Sequence, residues 1–356
     1  MCICDEKRKN IPYRIFLGRA IKKVWGEYLG EDPLNTVLYS KPIDAELHNA
    51  YRDFLISRGL RDEEDWNVVC IITDDEGKIV ATGARAGKVI KQIAVSPAHE
   101  GENLCASVMS ELISEAYSKG VSHLLLCTKP KYKSQFAAMG FFALAETNEA
   151  LLMENRKNGL EEYLSSLPCP KGANGAVVCN CDPFTFGHRY LIERASTMCD
   201  WLHIFVLSEP GAMFSCEQRF TMVKNGVSGI KKCFVHRSEE YLISRATFPT
   251  YFIKDKKRTE EIQADLDIVL FGEKIAPKLG IIKRFVGTEP NCCVTSAYNR
   301  RLKKLLPKYG IELIETERLK GISASKVREL IRTKRLEESK TMVPETTYEE
   351  ISRFIK

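Results

Sequence analysis

The residues of this chain best suited to chemistry lie in two runs. The first is Asn180-Cys181-Asp182-Pro183-Phe184-Thr185-Phe186-Gly187-His188 and the second, far along the chain, is Gly321-Ile322-Ser323-Ala324-Ser325-Lys326-Val327-Arg328. The first follows the apolar stretch Ala176-Val177-Val178, so it reads as a strand end, a turn and a helix start. Thr185 and His188, three residues apart across that turn, can both donate to phosphate oxygens, and the positive end of the helix adds to the attraction. Gly187 carries no β-carbon to hold a triphosphate away from the backbone. Asn180, Pro183 and Phe184 of the same turn are expected beside the nucleotide. In the second run, Ser323 and Ser325 offer donors at a helix N-terminus, Arg328 a forked cation one turn in, and Lys326 a further positive charge. This pairing suits displacement at the α-phosphate of ATP. The first motif would hold the phosphorus under attack, and the second would take up the charge that collects on departing pyrophosphate.

Taken singly, each motif has a plainer reading. A histidine after a turn is commonly a helix-start residue, and a Ser-x-Ser pair is commonly an N-cap. Their joint occurrence at opposite ends of one alternating α/β region is what points to a catalytic site. Arg219 is a weaker candidate, read as a surface salt-bridge arginine with a phosphate contact as the alternative. Gly287, after Phe285-Val286, sits where a base or ribose would pass, or is a plain turn glycine.

The elements that must position these groups are strands alternating with helices beyond residue 170. They are a strand before Asn180, a helix from His188, a strand at Leu202 to Leu207, a helix from Cys216 capped by Ser215 and Gln218, and a strand at Lys232 to His236. After a long middle segment come Arg284 to Val286, a helix from Asn299 to Leu306, a strand at Ile311 to Ile314 and a helical region from Ser323. Such alternation predicts a parallel, Rossmann-like sheet with right-handed crossovers. Earlier in the chain, Val68 to Ile72, the turn Asp74 to Gly77, and Ile79 to Ala81 read as a hairpin. Ile90 to Val95 then leads to a helix with Leu104, Val108, Leu112 and Ala116 on one face, and Leu124 to Cys127 is a buried strand. The expected organisation is an α+β domain over 1–155, a linker over 156–170 and the catalytic domain over 171–356.

Composition narrows the class. With 44% hydrophobic and 28% charged residues over 356 positions, the chain is an ordinary globular protein with room for two cores. The net charge of +6 is spread thinly, with no Lys/Arg block interleaved with aromatics, so nucleic acid is not an expected partner. The 13 cysteines are scattered without CxxC spacing, and the apolar runs are too short for a bilayer, so we expect a reduced, cytoplasmic protein with no membrane association.

The Thr185-Phe186-Gly187-His188 and Ile322-Ser323-Ala324-Ser325 motifs resemble the HxGH/TxGH and ISxSxxR motifs of the nucleotidyltransferase superfamily. The fuller stretches Phe184 to Ile192, Ile243 to Pro249, Arg284 to Pro290 and Ile322 to Ser325 resemble the citrate (pro-3S)-lyase ligase family, over nearly the whole chain. The resemblance implies an ATP-dependent acetate ligase. Acetate would attack the α-phosphate to give acetyl adenylate and pyrophosphate. The acetyl group would then pass to the phosphoribosyl-dephospho-CoA thiol of the citrate lyase acyl carrier (gamma) subunit and activate the lyase. Mg2+ would travel with ATP, held by phosphates and water, with no dedicated protein metal site. Arg245, in Ser244-Arg245-Ala246-Thr247-Phe248-Pro249, is a candidate for orienting the carboxylate, with a structural loop arginine as the alternative, and the loop from Tyr241 to Lys254 would suit a lid or docking surface. The same residues leave open an acetate ligase for the malonate decarboxylase carrier, an adenylyltransferase that releases its product, and an acetyl-CoA sensor.

Residues 66–142 resemble the N-acetyltransferase fold of the GNAT superfamily. There a Q/R-x-x-G-x-G/A loop binds the pyrophosphate of acetyl-CoA, whereas this chain has Glu100-Gly101-Glu102-Asn103-Leu104-Cys105, which departs at all three signature positions. Glu100 and Glu102 put negative charge where a pyrophosphate would lie. We therefore expect weak acetyl-CoA binding or none, and a scaffolding or carrier-recognition role.

Overall fold

The computed structural model describes residues 34–209, 211–242, 248–249, 251–253, 256–289 and 293–355. They divide into two compact units. One takes the described residues up to Phe142 with Met153–Arg156 and those of Pro249–Lys254; the other takes Ala143–Leu152, Lys157–Phe248 and the remainder.

The first seven strands form one sheet. They are β1 (Asn35–Ser40), β2 (Val68–Thr73), β3 (Ile79–Ala86), β4 (Val89–Val95), β5 (Leu125–Thr128), β6 (Phe142–Glu146) and β7 (Leu151–Glu154), in the order β1-β2-β3-β4-β5-β7-β6. Pairing is antiparallel from β1 to β4 and parallel between β4 and β5. The crossover between that parallel pair is α2 (Leu104–Ser118), which buries Leu104, Val108, Met109, Leu112 and Ala116, as the periodicity predicted. It packs hard on β3. A Cβ at Gly83 would lie 2.5 Å from a Val108 methyl, so only glycine allows the helix this close. This is the expected acetyltransferase-type arrangement. β1 and the helix α1 (Ala45–Ser57) precede the part of the chain whose pattern was legible; α1 buries only Tyr51 and Leu55, too few positions to mark a helical face.

The second sheet is wholly parallel. Its strands are β8 (Asn174–Cys179), β9 (Leu202–Val206), β10 (Cys233–Arg237), β11 (Ile281–Gly287) and β12 (Glu312–Thr316), in the order β10-β9-β8-β11-β12. Chain order reverses between β8 and β11, and at such a switch point a crevice opens beyond the carboxyl ends of the strands. Helices α3 (Lys133–Ala138) and α4 (Gly159–Ser165) precede this sheet; its crossovers include α5 (Phe186–Ser196), α6 (Cys216–Gly226), α7 (Lys256–Leu270) and α8 (Cys293–Leu305), and α9 (Ala324–Arg332) and α10 (Glu345–Ile355) follow. One core cluster joins Val177, Phe184, Ile192, Phe285 and Val327, tying the strands to α5 and α9.

Two expectations change here. Helix α8 begins at Cys293, six residues before Asn299, because its mixed polar sequence shows no apolar stripe there. Part of the loop read as a lid is packed instead. Tyr251, Phe252 and Ile253 are buried, Tyr251 OH donates to the Cys127 carbonyl at 3.4 Å, and the Arg61 amide donates to the Tyr251 carbonyl at 3.0 Å. A segment anchored by three buried side chains does not swing freely. Among the described residues no helix is long and apolar enough to cross a membrane.

Candidate active site

Two helix starts meet at one cleft of about 370 Å³ at the switch point, which is lined by Thr185, Gly187 and His188 from the first and by Ser323, Ala324 and Arg328 from the second. The first is built by a capping box. The Thr185 amide donates to His188 Nδ1 at 3.0 Å, and the His188 amide donates to Thr185 Oγ1 at 3.4 Å. The box sets the helix start at Phe186, two residues before His188. It also fixes the imidazole, because Nδ1 acts as acceptor and the ring proton must sit on Nε2. Burial, reinforced by the Arg318 cation, lowers the His188 pKa to about 4. At neutral pH the ring is an uncharged Nε2–H donor.

The second helix start is capped by Ser323, whose Oγ accepts the Lys326 amide at 3.1 Å. Arg328, one turn in, donates through Nη1 to the Asp182 carbonyl and through Nη2 to Ser325 Oγ at 3.2 Å, and lies 3.8 Å from the Asp182 carboxylate. Asp182 therefore joins the two motifs directly. It is buried and accepts the amides of Ala212, Met213 and Phe214 at 2.7, 3.2 and 3.0 Å, which pins the loop before α6 to the turn after β8. Its position inside the first motif, beside Pro183, was the signal available in the sequence.

The other expected site residues fall in different places. Gly187 lines the cleft, and a Cβ there would meet Thr185 Oγ1 at 3.5 Å and an Ile322 methyl at 3.8 Å, ordinary contacts, so nothing in the protein itself demands glycine. Gly287 lines it too, with open space where a Cβ would go. Asn180 lines it with an exposed side chain. Phe184 is fully buried in the core and supports the site from below, its ring stacked 5.9 Å from that of His188. Pro183 is buried beside it. Ser325 and Lys326 are exposed on the first turn of α9, where Ser325 serves Arg328. Arg245 lies outside the described residues.

Arg219 is not a surface arginine. It is fully buried, and its guanidinium donates to the carbonyls of Phe214 (3.3 Å), Asn180 (2.8 Å) and Glu209 and to Asn180 Oδ1 at 2.5 Å. Every donor it spends on the loops is one it cannot offer a phosphate. Residues that spacing did not reveal complete the cleft. Arg318 is paired to Glu289 at 2.9 Å, and Arg284, Asp267, Tyr298 and Asn299 come from β11 and the helices on its other face. They arrive from four separate elements, so no short motif announces them.

In the first unit, a larger groove of about 800 Å³ includes Glu100, Gly101, Asn103, Leu104 and Cys105 of the altered loop together with Lys129, Lys131 and Tyr132. Helix α2 starts there without a side-chain cap. A cluster of His48, Asp62 and Glu64, also in this unit, is the one group of three potential metal ligands among the described residues, and Asp62 already holds His48 at 2.6 Å.

The chain is similar to known proteins over most of its length. Residues 174–351 match the family described as the citrate lyase ligase C-terminal domain. A citrate (pro-3S)-lyase ligase of Klebsiella pneumoniae is 40% identical over 316 residues, 85% of this chain and 92% of that protein. A phosphopantetheine adenylyltransferase of Alkaliphilus oremlandii is 28% identical over 114 residues, 30% of this chain and 71% of its own. An acyl-CoA N-acyltransferase from Pseudomonas aeruginosa superposes on 35% of this chain and 99% of its own with a TM-score of 0.30 and 15% identity. With the family match spanning all five strands of the parallel sheet and the relative 40% identical over 85% of the chain, this chain belongs to the citrate (pro-3S)-lyase ligase family of enzymes.

Proposed function

We propose that the enzyme activates acetate with ATP and passes the acetyl group to the prosthetic-group thiol of the citrate lyase acyl carrier subunit, switching the lyase on. The observation that carries this is the convergence of two helix N-termini, bearing Thr185 and His188 on one side and Ser323 and Arg328 on the other, over one cleft at the sheet's switch point. ATP lies with its triphosphate between them. An acetate oxygen attacks the α-phosphorus in line, the bond to the bridging oxygen breaks, and pyrophosphate leaves. His188 Nε2–H donates to the α-phosphate as charge builds. Arg328, already held by Asp182 and Ser325, receives pyrophosphate without reorganising. Preorganised donors of this kind contribute on the order of 3 kcal/mol each to the barrier. In the second step the carrier thiolate attacks the acetyl carbon and AMP departs, which needs no nucleophile from the protein.

The nucleotide-binding set is Asn180, Pro183, Phe184, Gly187, Gly287, Ser323, Ser325 and Lys326, with Phe184 acting through the ring it places under His188. Mg2+ accompanies ATP. Of the carboxylates lining the cleft, Asp182, Asp267 and Glu289 are each engaged by protein donors and Glu317 is exposed, so the metal would be carried mainly by phosphates and water. Residues 171–356 form the ligase domain and 1–155 the acetyltransferase-like domain, which serves as scaffold or carrier-recognition module.

The test is pyrophosphate release from ATP. It should require acetate, proceed without the carrier for the first turnover, and fall about a hundredfold or more in His188→Ala. Release that ignores acetate would refute the reading.

A further inference from the structure

We propose that Arg284 binds the carboxylate of the acid substrate, making its part of the cleft an anion subsite; this rests on the ligase reading above. Side chains alternate along β11. Phe285 packs with Ile192 and Val327, from the helices that carry His188 and Arg328, so Arg284 faces the other way. There its guanidinium lies 4.4 Å from the centroid of the Phe271 ring, beside Tyr298, whose hydroxyl is committed to Asp267 at 2.5 Å. Arg284 is only 2% exposed, lines the cleft, and has a buried Nε with no hydrogen-bond partner.

Arg219 shows what a buried structural arginine looks like in the same unit, with four hydrogen bonds to two carbonyl-rich loops. Arg284 lacks such a set. A buried cation left in this condition is costly, and a carboxylate placed against the guanidinium fork relieves the cost through two parallel charge-assisted hydrogen bonds. The Phe271 ring covers one face of the guanidinium and leaves its edge to do this. In the ligase reading ATP already has donors of its own at the two helix starts, and the acid is the anion without a partner.

Arg284→Met and Arg284→Lys, made in the full chain, test this through acetate-dependent pyrophosphate release and thermal melting without ligands. The KM for acetate should rise about tenfold or more in Arg284→Met, while the KM for ATP stays within about twofold and kcat recovers at saturating acetate. Arg284→Lys, which keeps the charge and loses the fork, should fall between. Arg284→Met should also melt at or above the wild-type temperature, because a buried guanidinium with an unsatisfied Nε is gone. An unchanged acetate KM, a rise in the ATP KM instead, or a variant that melts lower or fails to fold would each overturn the assignment. If the wild type itself releases no pyrophosphate with acetate, the ligase reading fails first and takes this proposal with it.

Discussion

Gly187 and His188 sit side by side at the start of α5 and carry different burdens. Since an added Cβ at Gly187 meets only ordinary contacts, Gly187→Ala should fold and melt like the wild type or slightly higher, yet raise the KM for ATP about tenfold. Kinetics beside a melting curve would check this, and an unchanged KM would mean the triphosphate does not approach that backbone. For His188 the decisive quantity is charge. Its pKa of about 4 lies below the ordinary 6.5, so the ring stays neutral through the physiological range. The log of kcat/KM for ATP should therefore show no His188 inflection near 6.5 and break only as pH approaches 4. A clear inflection near 6.5, absent in His188→Asn, would contradict the buried neutral ring. The linkage has the same sign: the unfolded chain takes up this proton first, so the contribution of His188 to stability is full above 6.5 and is lost as pH falls toward 4. These two residues were legible in the sequence because they share one turn. Arg284 and Arg318 were not, since a lone arginine on a strand or in a loop reads the same whether it is paired, stacked or waiting for a ligand.

At the level of elements, the site depends on how closely α6 packs beneath it. Gly226, at the end of α6, admits the Phe184 ring so closely that a Cβ there would lie 2.4 Å from it, and that ring in turn stacks under His188. Gly226→Ala should cost about 1–3 kcal/mol of stability from overpacking, and should lower kcat more than it alters the KM for ATP by tilting the His188 ring. Chemical denaturation and steady-state rates would check this; a stability within about 0.5 kcal/mol of wild type would show that the core gives way more easily than its geometry implies. Strands and crossovers of the parallel sheet were legible because buried parallel strands read as short apolar runs such as Leu202 to Val206. Helix α7 was not. It runs from Lys256 to Leu270 and continues through a π turn at Phe271–Ile275, and its first turns, Lys-Lys-Arg-Thr-Glu-Glu, carry no apolar periodicity. The cap residues Thr185, Ser215 and Ser323 are true N-caps, so the plainer reading of Ser323 is met, and a cap fixes the helix start that the proposed reaction would use.

Across the whole molecule, the proposed activity turns on where the acetyl group comes from. Glu100 lines the first groove where an acyl-CoA pyrophosphate would be cradled, and α2 begins there behind Asn103 instead of glycine. Calorimetry on the full protein should find no acetyl-CoA binding in the low-micromolar range; such binding would restore the first domain as an acetyl source. In the proposed reaction acetate is activated at His188 and Arg328 instead. The most direct test supplies acetate labelled with heavy oxygen in its carboxylate, together with ATP and the deacetylated carrier subunit, and follows the label by mass spectrometry. If acetate oxygen attacks the α-phosphorus, one labelled oxygen must remain on AMP when the thiol takes the acetyl group, in step with pyrophosphate release and carrier acetylation. AMP that carries no label, or an acetylated carrier formed without AMP, would contradict it.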